Sequence, residues 1–110
     1  MQTSGSSVWE TPSTQHFVDV VTAIDDIRMM QNFLRDVMTE KEISEIGSRL
    51  EAARMLQQGR KYTEIVEQTK LSSRTVARIS DWMQNGCGGY EAALNLFDTH
   101  HDHLLPTRAG

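Results

Sequence analysis

Between Tyr62 and Met83 the chain reads YTEIVEQTKLSSRTVARISDWM. This stretch restricts the choice of fold more than any other. Ile65, Leu71, Val76 and Ile79 are apolar at the intervals where two short helices joined by a tight turn must bury side chains to fix their crossing angle. The spacing predicts one helix from Tyr62 to Thr69. A second opens at Ser72, its N-cap, and runs past Trp82 to about residue 85. Ser73, Arg74, Thr75 and Arg78 fall between the apolar positions and are free to face outward. Short polar and basic side chains on the first turn of such a second helix suit a helix lying in the major groove of DNA.

The remaining residues read as helices too. Near Pro12 a first helix is expected, capped by Thr11 or Ser13, with Phe17, Val20, Val21 and Ile24 as its apolar stripe. Asp25 is the expected N-cap of a second helix, and Asp26 is favourable at its positive end. That helix carries Ile27, Met30, Phe33, Leu34, Val37 and Met38. One unbroken helix over 12–38 is the alternative. Either way the apolar surface is too large for a peripheral hairpin and points to a core or a dimer interface.

Thr39-Glu40-Lys41-Glu42 is a capping box. It starts a third helix, over about 40–58, with Ile43, Ile46, Leu50, Ala53 and Leu56 on one face and Gly59 as its stop. Gly47 inside this helix costs about 1 kcal/mol relative to alanine. Close approach of another helix would offset that, or the glycine is simply tolerated. After the two helices of the opening stretch, Asn85-Gly86-Cys87-Gly88-Gly89 must break the chain direction. A last helix is expected over about 90–98, burying Ala93, Leu94 and Phe97. The organisation expected is therefore a mobile arm over 1–11 with Trp9 as its one aromatic (docking of Trp9 on the body or on a partner is the alternative), a helical domain over 12–98, and a tail over 99–110.

Composition removes several function classes. No apolar run approaches the roughly 20 residues a membrane-spanning helix needs, and no signal peptide opens the sequence. Cys87 is the single cysteine, so no internal disulfide is possible and a reducing cytoplasm is the expected compartment. His100, His101 and His103 beside Asp98 and Asp102 have irregular spacing and read as a tail rather than a metal site. Gly88 and Gly89 follow no strand and precede no lysine at the spacing of a phosphate loop. Nothing marks Cys87 as an activated nucleophile. No enzyme, metal or cofactor is expected. The formal net charge of −4 disfavours nucleic acid, but its distribution does not. Residues 41–85 carry eight basic and six acidic side chains, so the positive excess lies on the helix-turn-helix segment.

On that segment Arg74 is the best candidate for reading a base, because a guanidinium pairs with guanine O6 and N7. Thr75 can bond a base edge or pack its methyl group on thymine. Arg78, one turn on, reaches phosphate or turns inward. Ser72 and Ser73 open the helix, Thr63 and Lys70 are phosphate neighbours, and Arg60 and Lys61 sit at the edge of the segment. Lys70 stands at the turn position that usually holds glycine, so a longer or differently shaped turn is expected.

The segments NFLRDVMTEKEISEIGSRLEAARMLQQG and KYTEIVEQTKLSSRTVARISDWMQNGCGGY resemble the Trp repressor superfamily, and more closely its YerC/YecD family. The most specific part is the passage from the helix-turn-helix into asparagine and Gly-x-Gly-Gly-Tyr. The resemblance covers about Phe33 to Phe97. It implies an all-α fold of about six helices, an intertwined homodimer, and two recognition helices meeting successive major grooves of double-stranded DNA. It also implies a ligand pocket. Thr39 matches a pocket threonine, and Arg49 and Arg78 match two arginines that flank the indole of bound tryptophan. Ile79 and Trp82 stand where the repressor has a glycine and a serine. They add bulk to that pocket, so no tryptophan corepressor is expected. The expected function is transcriptional regulation, with repression the expected sense. The rival is a helical dimer whose helix-turn-helix meets a protein partner, favoured by the acidic total and by Lys70.

Overall fold

A computed structural model describes the backbone over residues 7–104, with side chains as far as Phe97. Among the described residues these helices follow one another: α1 (Pro12–Ala23), α2 (Ile27–Val37), α3 (Glu40–Gln57), α4 (Tyr62–Thr69), α5 (Ser73–Asn85) and α6 (Gly89–Leu104). There is no strand among the described residues. The chain divides into two compact units at Ile43 and Ser44.

Local chemistry explains most of the helix ends. Thr11 caps α1 through its side chain, which accepts from the Thr14 N–H, and Pro12 fills the first turn, where its missing N–H costs nothing. A break at residues 24–26 separates α1 from α2, so the unbroken alternative does not form. Asp26 rather than Asp25 is the cap of α2, and its Oδ2 accepts from the Met29 N–H at 2.7 Å. The capping box at α3 is present in full. Thr39 Oγ1 accepts from the Glu42 N–H at 3.1 Å, and Glu42 Oε1 accepts from the Thr39 N–H at 2.9 Å. α3 ends in a Schellman motif. Gly59 takes φ 80°, the Arg60 N–H donates to the Met55 carbonyl and the Gly59 N–H to the Leu56 carbonyl.

The N-terminal unit holds α1 and α2. No side chain of either helix is buried. Phe17 and Phe33 meet at 6.3 Å between ring centroids, while Ile27 is 71% exposed and Val20, Met29 and Val37 are also exposed. Residues 7–11, expected as part of a mobile arm, are tied to α1. Thr14 Oγ1 donates to the Val8 carbonyl at 2.7 Å, and Gln15 Nε2 donates to the Trp9 carbonyl at 3.0 Å.

The second unit holds the core: Ala52, Ala53, Met55, Ile65, Val76, Ile79 and Leu94, with Leu56, Val66, Leu71, Met83 and Tyr90 packed against it. α3 therefore does not bury the whole expected stripe. Ala52, Ala53 and Met55 go inside, whereas Ile46 is 55% exposed and Leu50 is exposed as well. Among the described residues, nothing beyond the adjacent backbone of α3 lies within 4 Å of where a Cβ on Gly47 would stand. α6 starts at Gly89 and runs to Leu104, six residues past its expected end, and buries Leu94 but not Ala93. His100, His101 and His103 have side chains outside the described residues.

Gly86 closes α5. Its N–H donates to the Trp82 carbonyl at 2.8 Å. A Cβ there would stand 2.5 Å from the Trp82 carbonyl oxygen and 3.2 Å from its carbon. Both are backbone atoms of a helix, so they cannot yield as a side chain would. Gly86→Ala is expected to cost about 1–3 kcal/mol and to fray the last turn of α5. Urea denaturation, with faster amide exchange confined to residues 83–86, checks this.

Candidate nucleic-acid interface

α4 and α5 form the helix-turn-helix. Ile65 from α4 and Val76 and Ile79 from α5 are each 0% exposed and lie in one core. The turn between them departs from expectation. It is neither lengthened nor reshaped. Lys70 itself adopts the left-handed conformation, φ 65°, the only non-glycine residue to do so among the described ones, and its N–H donates to the Val66 carbonyl. The sequence offered no sign of what supports this turn. Thr69 is buried. Its Oγ1 donates to the Ile65 carbonyl at 2.7 Å and accepts from the Leu71 N–H at 3.3 Å. A hydroxyl clamped on both sides of Lys70 holds the turn despite the lysine. Lys70→Gly removes the steric cost of a Cβ at positive φ, roughly 1 kcal/mol, less the extra entropy of glycine in the unfolded chain. The urea midpoint is expected to rise.

Ser72 caps α5, with its Oγ accepting from the Thr75 N–H at 3.1 Å and lying 3.0 Å from the Thr75 hydroxyl. This hydroxyl pair fixes the first turn. Ser73 and Arg74 follow on it, both exposed, and Arg78 is exposed one turn later. Neither arginine has a hydrogen bond or ion pair to any described residue. Thr75 is half-buried, and Thr63, Lys61 and Lys70 are exposed. The structure thus brings Ser72, Ser73, Arg74, Thr75 and Arg78 onto one helix and Thr63 and Lys70 onto the helix before it.

Arg60 differs from the other cations expected to contact DNA. Its Nη2 is paired with Glu64 Oε2 and its Nη1 donates to Gln58 Oε1 at 3.4 Å. The hydrogen bond from Arg60 is the main cause that holds the Glu64 carboxyl below its usual range, and the same bond raises the arginine. A carboxyl that binds its proton more weakly in the folded chain contributes stability above its ordinary value of 4.5. That contribution fades as the pH falls below it, through the lower folded value.

The residues of the expected ligand pocket are not all together. Arg49 lines an open pocket of about 540 Å³ in the second unit, along with Ile46 and Leu50 from α3, Trp82 from α5, and Gly86, Cys87, Gly89, Tyr90 and Ala93. Arg49 Nη2 pairs with Glu45 Oε2 at 3.3 Å. Trp82 is 42% exposed, on the pocket wall. Ile79 lies in the core instead, and Arg78 is not part of the lining. Thr39 belongs to the N-terminal unit, where its hydroxyl is used by the capping box. No group of three or more His, Cys, Asp or Glu side chains fit to hold a metal occurs among the described residues, and no described helix is long and apolar enough to cross a membrane.

Comparison with known proteins agrees with this architecture. Residues 13–97 match the family model described as Trp repressor protein. The chain belongs to the Trp repressor family. It is 33% identical over 75 residues to the uncharacterised protein YerC of Bacillus subtilis, a match spanning 68% of this chain and 72% of YerC. Among solved structures, a TrpR-like protein from Eubacterium eligens aligns with a TM-score of 0.76 at 26% identity, covering 86% of this chain and 94% of that one. The Trp repressor-like fold accounts for the helix order and for the position of α4 and α5. It does not by itself assign a role to any side chain.

Proposed function

We propose that this chain is a sequence-specific, DNA-binding transcriptional regulator that acts as a homodimer. The observation that carries the reading is the division of α5. Val76 and Ile79 are locked in the core, while Arg74 and Arg78 stand exposed and unpaired among the described residues. A guanidinium that serves no internal structure is available for a base edge or a phosphate. Ser72, Ser73 and Thr75 shape and flank that first turn, and Lys61, Thr63 and Lys70 supply phosphate contacts from α4 and its ends. Arg60 contributes only if Glu64 releases it. Neither a metal nor a cofactor nor a catalytic step enters this reading.

Membership of the Trp repressor family supports DNA as the partner and repression as the sense. The homodimer is supported by the N-terminal unit. Two helices that bury no side chain and expose Phe17, Val20, Ile27, Met29 and Val37 need a further apolar surface to lie against, and a second copy would supply one.

In this reading the protein acts without a tryptophan corepressor. Trp82 takes up space on the wall of the pocket that holds Arg49, and Arg78 lies off that wall. Titration calorimetry is expected to show no saturable, stoichiometric binding of L-tryptophan. Saturable binding would overturn this part of the proposal.

In vitro selection from random duplexes tests the function itself. An enriched near-palindrome, bound by two copies, is the expected result, with log affinity falling against log salt at about −0.9 per phosphate neutralised. No enrichment would favour the rival reading, in which the helix-turn-helix meets a protein partner.

A further inference from the structure

The link between α3 and α4 is built differently from four of the other helix starts. α1, α2, α3 and α5 each begin with a side chain that accepts from a backbone N–H of the first turn: Thr11, Asp26, Thr39 and Ser72. α4 begins at Lys61, whose side chain makes no such bond. The third residue of the helix, Glu64, pairs instead with Arg60, the residue before that cap. Arg60 in turn is the residue that completes the Schellman motif of α3, through its N–H to the Met55 carbonyl at 3.0 Å. Its guanidinium reaches back to Gln58 as well as forward to Glu64. Arg60 therefore spans the joint, its backbone N–H bonded to Met55 in the last turn of α3 and its guanidinium paired with Glu64 in the first turn of α4.

We propose that Arg60 and Glu64 are positioning residues, a clamp that sets the orientation of the helix-turn-helix on α3. The core fixes which faces meet. The clamp acts on the two residues between Gly59 and Tyr62, which join the helices. This deepens the DNA-binding reading and rests on it, because the clamp has a purpose only if the angle of α5 matters to a partner. It also gives the reading head an internal device to hold its pose, in place of a bound small molecule. Both side chains are partly exposed (34% for Arg60 and 43% for Glu64), so solvent and salt weaken the pair and the effect is graded rather than all-or-none.

The test uses the full chain with Glu64→Gln and with the charge swap Arg60→Glu/Glu64→Arg. The first readout needs no DNA. Amide residual dipolar couplings are expected to fit α3, α4 and α5 to a single orientation in the wild type. In Glu64→Gln the couplings of α4 and α5 shrink relative to α3, and the swap restores them. Unchanged couplings in Glu64→Gln overturn the clamp, and this holds even if the chain binds no DNA at all. The second readout uses the duplex enriched by selection. Glu64→Gln is expected to weaken binding roughly two- to fivefold with the same salt slope, and the swap to recover most of it. Tighter binding with a slope steeper by about 0.9 would instead make Arg60 a phosphate contact that Glu64 withholds, and would overturn the proposal. If the wild type enriches no duplex, the DNA-binding reading fails while the dipolar couplings still decide the clamp.

Discussion

Ile65→Ala is expected to destabilise the chain by about 2–5 kcal/mol. Ile65 is 0% exposed at the centre of α4 and shares a core with Ala52, Ala53 and Met55 from α3, Val76 and Ile79 from α5, and Leu94 from α6. Truncation removes part of a fully buried side chain from that core and leaves a void. The walls of that void cannot collapse easily. α4 is only eight residues long and is held at one end by the Schellman turn and at the other by Thr69 and Lys70. Against a total stability of about 5–15 kcal/mol, the loss is large enough to unfold part of the population at physiological temperature. The urea midpoint measures it. A loss below about 1 kcal/mol would mean that the core of the second unit is less tightly packed than its burial indicates. Ile65 is not itself an expected DNA contact, and its tie to Lys61 is through the backbone, which the substitution keeps, so any loss of DNA binding in this variant is expected to track the unfolded fraction.

Arg74→Ala is the converse case, a change to binding with none to stability. Arg74 is exposed on the first turn of α5 and has no partner among the described residues, so its removal leaves no buried group unsatisfied. The variant is expected to melt with the wild type and to lose about 1–3 kcal/mol of binding to the selected site. Its signature is positional. Selection repeated with the variant should relax preference at one base pair in each half-site. Loss of a phosphate contact, as expected for Lys70 or Thr63, weakens all sequences alike. A variant that selects the same sequences as wild type would refute base reading by Arg74 and move that role to Thr75 or Ser73.

Three of the helix starts and the end of α3 were legible because their chemistry is local. Thr11, Thr39, Gly59 and Ser72 each act on backbone groups within five residues of themselves. The boundary between α1 and α2 was less legible. Asp25 and Asp26 are chemically equal candidates for one cap, and only the extended backbone at Asp26 (φ −118°, ψ 128°) selects it. Lys70 misled for a different reason. Propensity argues against a lysine at positive φ, but the decisive bond is the Thr69 hydroxyl to the Ile65 carbonyl, and a threonine at a helix end carries no unique signal. Glu64 was passed over because an acidic residue on a first turn is common. Its meaning depends on which cation stands opposite, across a turn whose shape Gly59 decides.

The amphipathic spacing of Tyr62–Met83 therefore determined by itself that a helix-turn-helix forms and that Ser73, Arg74 and Arg78 lie on its outer side. Side-chain period along a helix is a one-dimensional property, and the sequence carries it whole. Only the tertiary structure decided which face of α3 closes the core. Ile46 and Leu50 are as apolar as Met55, yet the angle at which α4 and α5 meet α3 covers Ala52, Ala53 and Met55 and leaves the other two on the wall of a pocket. Which residues the core covers depends on contacts between residues far apart along the chain, such as Ala52, Val76 and Leu94, which no local pattern encodes.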